Sequence, residues 1–269
     1  MTATQTQILL ITGGNTGLGY ETVRSLCQSP TAYAILLAGR DLAKAEAAVK
    51  QVQKEISNSS STVTPIQVDV DDDDSINKAF ERVSADYGRL DVLINNAGVQ
   101  LDPLLLTGKM TMREAWNKSW SVNTTGAQIM TYTFVPLLLK SSNPRLLFIT
   151  SGTSTLTEAE KGLLWIDQVP PKGWPKEPMG IGLGSYRSSK TGLNMMMREW
   201  SRILKEDGVK VFAISPGLLV TGLGGNPELI KKMGGLDPAI GANVVRDVVE
   251  GKRDQDAGKV LRRDSIQPW

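Results

Sequence analysis

The sequence predicts a single doubly wound α/β domain, a parallel sheet with helices packed on both faces. Three observations carry this prediction. Short apolar runs alternate with longer amphipathic segments from the N-terminus onward. The runs are continuously apolar rather than alternating, which suits strands covered on both sides. The links between them are short, as right-handed β-α-β crossovers require. A length of 269 residues suffices for one full core, so the expectation is one domain over 1–269.

In chain order, strands are predicted at Ile8–Thr12, Ile35–Ala38, Val63–Val68, Val92–Asn95, Leu146–Thr150 and Val209–Ile214. Helices are predicted at Gly17–Gln28, Leu42–Ile56, Asp73–Tyr87, Met112–Leu139 and Ser185–Lys205, where apolar residues recur at helical spacing. Residues 153–184 break the rhythm with Trp165, Trp174, Pro170-Pro171, Pro175 and Pro178. They read as an ordered insertion, because tryptophans are costly to expose. A second Gly/Pro-rich stretch, 222–238, encloses the apolar piece Leu229–Met233 and reads as a mobile lid.

Composition narrows the chemistry. The chain has no histidine, which excludes a Ser-His-Asp triad, a histidine base and a histidine-bound metal. Its single Cys27 rules out an internal disulfide and lies on the apolar side of a helix, as small buried hydrophobes do. A net charge of +2 gives no footprint for nucleic acid, and Lys231-Lys232 and Arg262-Arg263 read as solvated surface. No apolar run reaches a membrane span and the N-terminus has no signal-peptide pattern, so a soluble, cytoplasmic protein is expected.

The first strand runs into Thr12-Gly13-Gly14-Asn15-Thr16-Gly17-Leu18-Gly19 and a helix follows. Glycines there allow a tight turn and close approach of a pyrophosphate, while the helix start offers unsatisfied N–H donors and a positive dipole end. A glycine-rich turn without ligand is the plainer alternative, but its place between first strand and first helix favours a dinucleotide. At the end of the second strand stands Arg40, where many NAD proteins carry an acid. A guanidinium can bond a 2′-phosphate through two charge-assisted donors, so NADP(H) is the predicted cofactor, with Asn15 and Lys44 as secondary contacts. Asp41 reads as a helix cap.

Tyr186 and Lys190 lie four apart on a predicted helix and so share a face. A neighbouring ammonium favours the phenolate, and lowering the tyrosine from its usual ~10 would make it a usable general acid or base.

With these motifs in order, the chain resembles the short-chain dehydrogenase/reductase family over nearly its whole length, in character most like carbonyl-reductase-related members. The matching residues are Thr12-Gly13-x-x-x-Gly17-x-Gly19, Asp69-Val70, Asn95-Asn96-Ala97-Gly98, Asn123, Ser151, Tyr186-x-x-x-Lys190 and Pro216-Gly217-x-x-x-Thr221. The resemblance implies Asp69, with Val70, near the adenine ring. It implies Asn96, Ala97 and Gly98 beside the adenosine ribose and central strand, and Lys190 on the nicotinamide ribose. It counts Pro216, Gly217, Leu219 and Thr221 with the cofactor residues, Thr221 on the carboxamide. It further implies that Ser151 bonds the substrate oxygen and that Asn123 holds a water linking Lys190 to solvent. An aimed hydroxyl is an oxyanion-type stabiliser, and a water relay returns the proton Tyr186 gives away.

One departure stands out: Ser151 and Tyr186 are 35 positions apart, far more than is usual in the family, so the insertion falls beside the substrate cleft. Carbonyl-reductase relatives insert there too, over a surface used for assembly, which leaves monomer, dimer and tetramer open. Trp165 and Trp174 are expected to pack, with a pocket wall as the alternative. Consecutive carboxylates at Asp71–Asp74 do not converge on a metal and are expected at a helix start, where negative charge meets the dipole. The expected activity is NADPH-dependent reduction of a bulky apolar or aromatic ketone or aldehyde, with Leu101–Leu106 and Leu218–Leu223 supplying apolar surface. Two rivals are a non-catalytic NADP(H)-binding regulator, which the Tyr186/Lys190 pair argues against, and a sugar-nucleotide epimerase, which the short C-terminal region argues against.

Overall fold

The computed structural model describes residues 6–176 and 182–269, apart from the side chain of Trp165. Seven parallel strands lie in the order β3-β2-β1-β4-β5-β6-β7. They are β1 Gln7–Ile11, β2 Tyr33–Gly39, β3 Thr62–Gln67, β4 Val92–Asn95, β5 Arg145–Ile149, β6 Lys210–Ile214 and β7 Val260–Leu261. The predicted doubly wound sheet is therefore the observed one. Its order reverses between β1 and β4, where crossovers leave toward opposite faces and a crevice opens at the carboxyl ends.

The apolar strands divide the core into two layers. Leu10, Leu36, Ile66, Leu93, Leu146 and Val211 face one side, against α3 (Asp73–Tyr87), α6 (Gly126–Leu138) and α8 (Gly184–Ile203). Leu9, Leu37, Ile94, Leu147 and Phe212 face the other, against α1 (Gly17–Cys27), α2 (Leu42–Glu55) and α10 (Pro238–Val249). Each such side chain, fully buried, contributes about 1.5–3 kcal/mol relative to exposure. Cys27 is buried among the second set, as a small hydrophobe.

Several elements differ from expectation. The segment predicted as one helix over Met112–Leu139 is α5 (Met112–Trp120), a π-helical turn at Ser121–Thr125, and then α6. The bulge ends at Gly126, where the chain is pressed against its neighbour: a Cβ there would lie 2.3 Å from the Val70 carbonyl oxygen. The helix α10 and strand β7 went unpredicted because both follow the Gly/Pro-rich stretch, which masked a short apolar pattern. Within that stretch, α9 (Pro227–Lys232) has no buried residue. In the insertion, α7 (Leu156–Glu160) and a 3₁₀ turn at Trp165–Asp167 precede Trp174, which is 83% exposed. Trp174 thus does not pack as expected: it sits in a stretch without helix or strand, and most of the indole faces solvent. Of the predicted insertion, 177–181 and the Trp165 side chain lie outside the described residues.

Candidate active site

The glycine turn is held from behind. Thr12 at the end of β1 accepts hydrogen bonds at Oγ1 from the backbone N–H of Asn96 and Ala97, both 3.0 Å. The Asn96 amide donates to the carbonyls of Thr12 (2.8 Å) and Gly13 (3.1 Å). Asn96 therefore backs the turn from the end of β4. Gly13 (φ 62°) and Gly17 (φ 54°) are in the left-handed region. Gly14 N–H reaches the Ala38 carbonyl at 2.8 Å. A Cβ on Gly19 would stand 2.2 Å from the Gly13 oxygen, so close packing of α1 on the turn demands glycine. Thr16 precedes α1 without a side-chain cap, which leaves the first-turn N–H groups to an incoming anion. The cradle thus fits a pyrophosphate.

At the end of β2, Arg40 is exposed beside the turn, and Asn15 Oδ1 lies against Gly39, 3.0 Å from where its Cβ would be. Asp41 caps α2 by accepting from Lys44 N–H (3.2 Å), and Lys44 Nζ is 3.8 Å from the same carboxylate. Asp69 Oδ1 accepts from Asp71 N–H (3.1 Å) at the end of β3. Asp72 caps α3, with Asp73 and Asp74 in its first turn, as anticipated. Asp71 departs from that pattern. It faces across to Lys118 and Ser121, and although burial works against it, their hydrogen bonds hold its carboxyl below the usual range.

The structure brings Ser151, Tyr186 and Lys190 together at the ends of β5 and α8. Tyr186 is 8% exposed, and Lys190 Nζ lies 5.9 Å from its ring centroid while donating to the Ile149 carbonyl at 2.8 Å. A Cβ on Gly98 would be 3.3 Å from Nζ and 3.1 Å from Asn123 Oδ1, so the glycine leaves room for both. The idea that the ammonium lowers the tyrosine is corrected here. Burial pushes Tyr186 up to about 12 and the negative charge of Asp102 adds to this, while the Ser151 hydroxyl works the other way. Burial also pulls Lys190 down to about 8. Asn123, in the π-helical turn, accepts from Val99 N–H (2.7 Å) and donates to Val99 O and Ser189 Oγ (both 2.9 Å). Its amide thereby ties the β4 loop to α8.

One face of α8 grips the serine loop. Arg187 Nε donates to Thr153 O (2.9 Å), Thr191 Oγ1 to Ser154 O (2.9 Å) and Asn194 Nδ2 to Ser154 Oγ (2.9 Å). The spacing i, i+4, i+7 puts all three on the side that carries Lys190. Thr221, at the far lip, lies 3.5 Å from where a Gly17 Cβ would be, which brings the segment after β6 against the glycine turn.

Asp102 was not anticipated. It begins α4 (Asp102–Leu106), is 2% exposed, and accepts from the N–H of Ser185 (3.0 Å) and Tyr186 (3.2 Å). A carboxylate 83 residues before its partner carries no local signal of capping. Replacing it, Asp102→Asn, leaves one of the two N–H groups without an acceptor and removes the charge that favours the neutral phenol. The expected result is about 1–2 kcal/mol less stability and an alkaline limb of the pH-rate profile displaced to lower pH. A limb that stays in place would show that Asp102 acts on the helix alone.

Known proteins similar to this chain define its family. A family model described as short chain dehydrogenase matches residues 7–162. The chain is 45% identical over 272 residues to the short-chain dehydrogenase/reductase eupG of Phoma sp, covering 97% of each. It is 43% identical to the short-chain dehydrogenase/reductase tropE of Talaromyces stipitatus, over the full length of both. In three dimensions it is similar to NADPH-bound carbonyl reductase from chicken fatty liver, with TM-score 0.78 and 22% identity, covering 98% of this chain and 100% of that one. The protein belongs to the short-chain dehydrogenase/reductase family, oxidoreductases that use a nicotinamide cofactor.

Proposed function

We propose that the chain is an NADP(H)-dependent reductase of ketones and aldehydes, running reversibly on secondary alcohols, with a bulky apolar or aromatic carbonyl compound as substrate. The observation that carries this reading is the convergence of Tyr186, Ser151 and Lys190 on one spot beside the glycine cradle. The nicotinamide supplies a hydride when bound. Ser151 holds the carbonyl oxygen, Tyr186 gives it a proton, and Lys190 holds positive charge beside the phenol and a ribose hydroxyl. Asn123 keeps Lys190's surroundings in place and opens them to a water. Gly13 to Gly19 and α1 take the pyrophosphate; Asp69 and Val70 flank the adenine; Ala97, Gly98, Pro216, Gly217, Leu219 and Thr221 line the rest. Leu104, Leu218 and Leu223 expose apolar surface, which supports an apolar substrate. A reducing, cytoplasmic setting suits the lone buried thiol.

Arg40 supports the preference for NADP(H), since the nearby Asp41 is engaged as a cap. Arg40→Ala should raise KM for NADPH about tenfold to a hundredfold, the loss of one or two charge-assisted hydrogen bonds, and leave KM for NADH nearly unchanged. The test is NADPH consumption with a panel of aromatic, aliphatic and β-dicarbonyl ketones, repeated with NADH. Silence on every ketone despite tight NADPH binding would overturn the reductase assignment.

A further inference from the structure

Beyond β7 the chain turns back on itself, Arg262 N–H bonding Ser265 O at 2.8 Å and Ile266 bridging Leu261 antiparallel. This return carries Gln267, 1% exposed, underneath the serine loop. Its Nε2 donates to the carbonyl of Ser151 (3.1 Å) and to Ser154 Oγ (3.3 Å), while its Oε1 accepts from Arg262 Nε (3.2 Å). The amide can take no other orientation: Ser151 O is only an acceptor and the guanidinium only a donor. Arg262 is itself fixed by a forked pair with Glu158 on α7. The segment is docked further by Thr155 Oγ1 and Thr157 N–H, which donate to Trp269 O at 3.0 and 2.7 Å, and by Arg198, which lies 5.7 Å from the Trp269 ring centroid. Three donors thus meet at the Ser151 carbonyl, Gln267 from below, and Ser154 Oγ (2.6 Å) and Ser154 N–H (3.2 Å) from within the loop.

We infer that Gln267 is a positioning residue for Ser151: it holds the serine's peptide so that the hydroxyl points at the substrate oxygen. This inference rests on the reductase reading of the site. A buried amide that only filled space could face any carbonyl; this one joins the peptide of the oxygen-holding residue to an ion pair on the insertion. Nothing local marks it, since Gln267 is 116 residues from Ser151.

The experiment compares Gln267→Met, which keeps volume and loses both donors, with Gln267→Glu, which keeps the Arg262 partner and turns an acceptor toward the Ser151 carbonyl. Both are measured alone and on a Ser151→Ala background. Expected are a kcat for ketone reduction roughly tenfold lower, KM for NADPH unchanged, and no further loss from Gln267→Met once Ser151 is gone. Amide hydrogen exchange in 150–156 should quicken, a readout independent of turnover. Unchanged exchange, or a loss that adds fully to that of Ser151→Ala, overturns the inference. If Gln267→Met does not fold, Gln267→Glu and Arg262→Gln decide on the same two criteria. A wild-type protein silent on all ketones counts against the reductase reading, while the exchange result still decides for or against Gln267.

Discussion

Tyr186→Phe should lower kcat for ketone reduction by about a hundredfold to ten-thousandfold, the usual worth of a positioned proton donor, and leave NADPH affinity unchanged. The phenyl ring fills the same buried space, and Lys190 stays fixed because its hydrogen bond goes to Ile149 O rather than to the tyrosine. Burial that pushes the phenol up to about 12 keeps it protonated throughout the neutral range, so it enters the reductive reaction in its acid form. The reverse reaction needs the phenolate and should therefore speed up with rising pH. Steady-state NADPH oxidation together with a fluorescence titration of NADPH separates the two quantities. A variant retaining more than a tenth of the rate would remove Tyr186 from the proton path.

Gly19→Ala should fail at an earlier step. The added methyl group meets the Gly13 carbonyl oxygen at 2.2 Å and the Asn96 amide at 2.6 Å, and neither can retreat: the first is backbone inside the turn, the second is bonded to Thr12 and Gly13. The turn must open, at about 1–3 kcal/mol or more, which lowers NADPH affinity roughly tenfold to a hundredfold and reduces Tm. Gly14→Ala is the control. Its methyl group would meet the Leu37 and Ile11 side chains at 3.0 and 3.2 Å, which shift more readily than backbone, and Gly14 is not among the glycines at positive φ. Equal losses in the two variants would mean that the Gly13-Asn96 contact is not what shapes the cradle.

Six strands of the parallel sheet and five long helical stretches were legible because a strand buried on both faces must be continuously apolar, and a helix with one buried face must repeat it at 3.6 residues. Gly13, Gly17 and Gly19 were legible for a related reason, since a turn this tight against a helix start tolerates little else. Asp102 and Gln267 were not: each acts through a contact with a segment more than 80 residues away, and nothing in a carboxylate before a proline or a glutamine near Trp269 announces the partner. The direction of the Tyr186 shift was also illegible. Spacing puts Lys190 on the same face of α8, but only the packing shows that the ammonium turns to a carbonyl and that burial prevails. Trp174 shows the opposite failure: the usual preference of tryptophan for burial does not hold at this position.

The grip of Arg187, Thr191 and Asn194 on the serine loop has a consequence for the long stretch in between. Because 153–154 is tied to α8 by these side chains and the start of α8 is held by Asp102, the length of 155–183 bears little on the distance between the proton donor and the oxygen-holding hydroxyl. Closing a longer loop costs only a slowly rising entropy, about 0.6 kcal/mol per doubling. A segment of another size grafted there should change which molecules are admitted and leave the reaction centre its dimensions, provided it keeps the two carboxylates that pair with the anchors, Glu158 with Arg262 and Asp167 with Arg187.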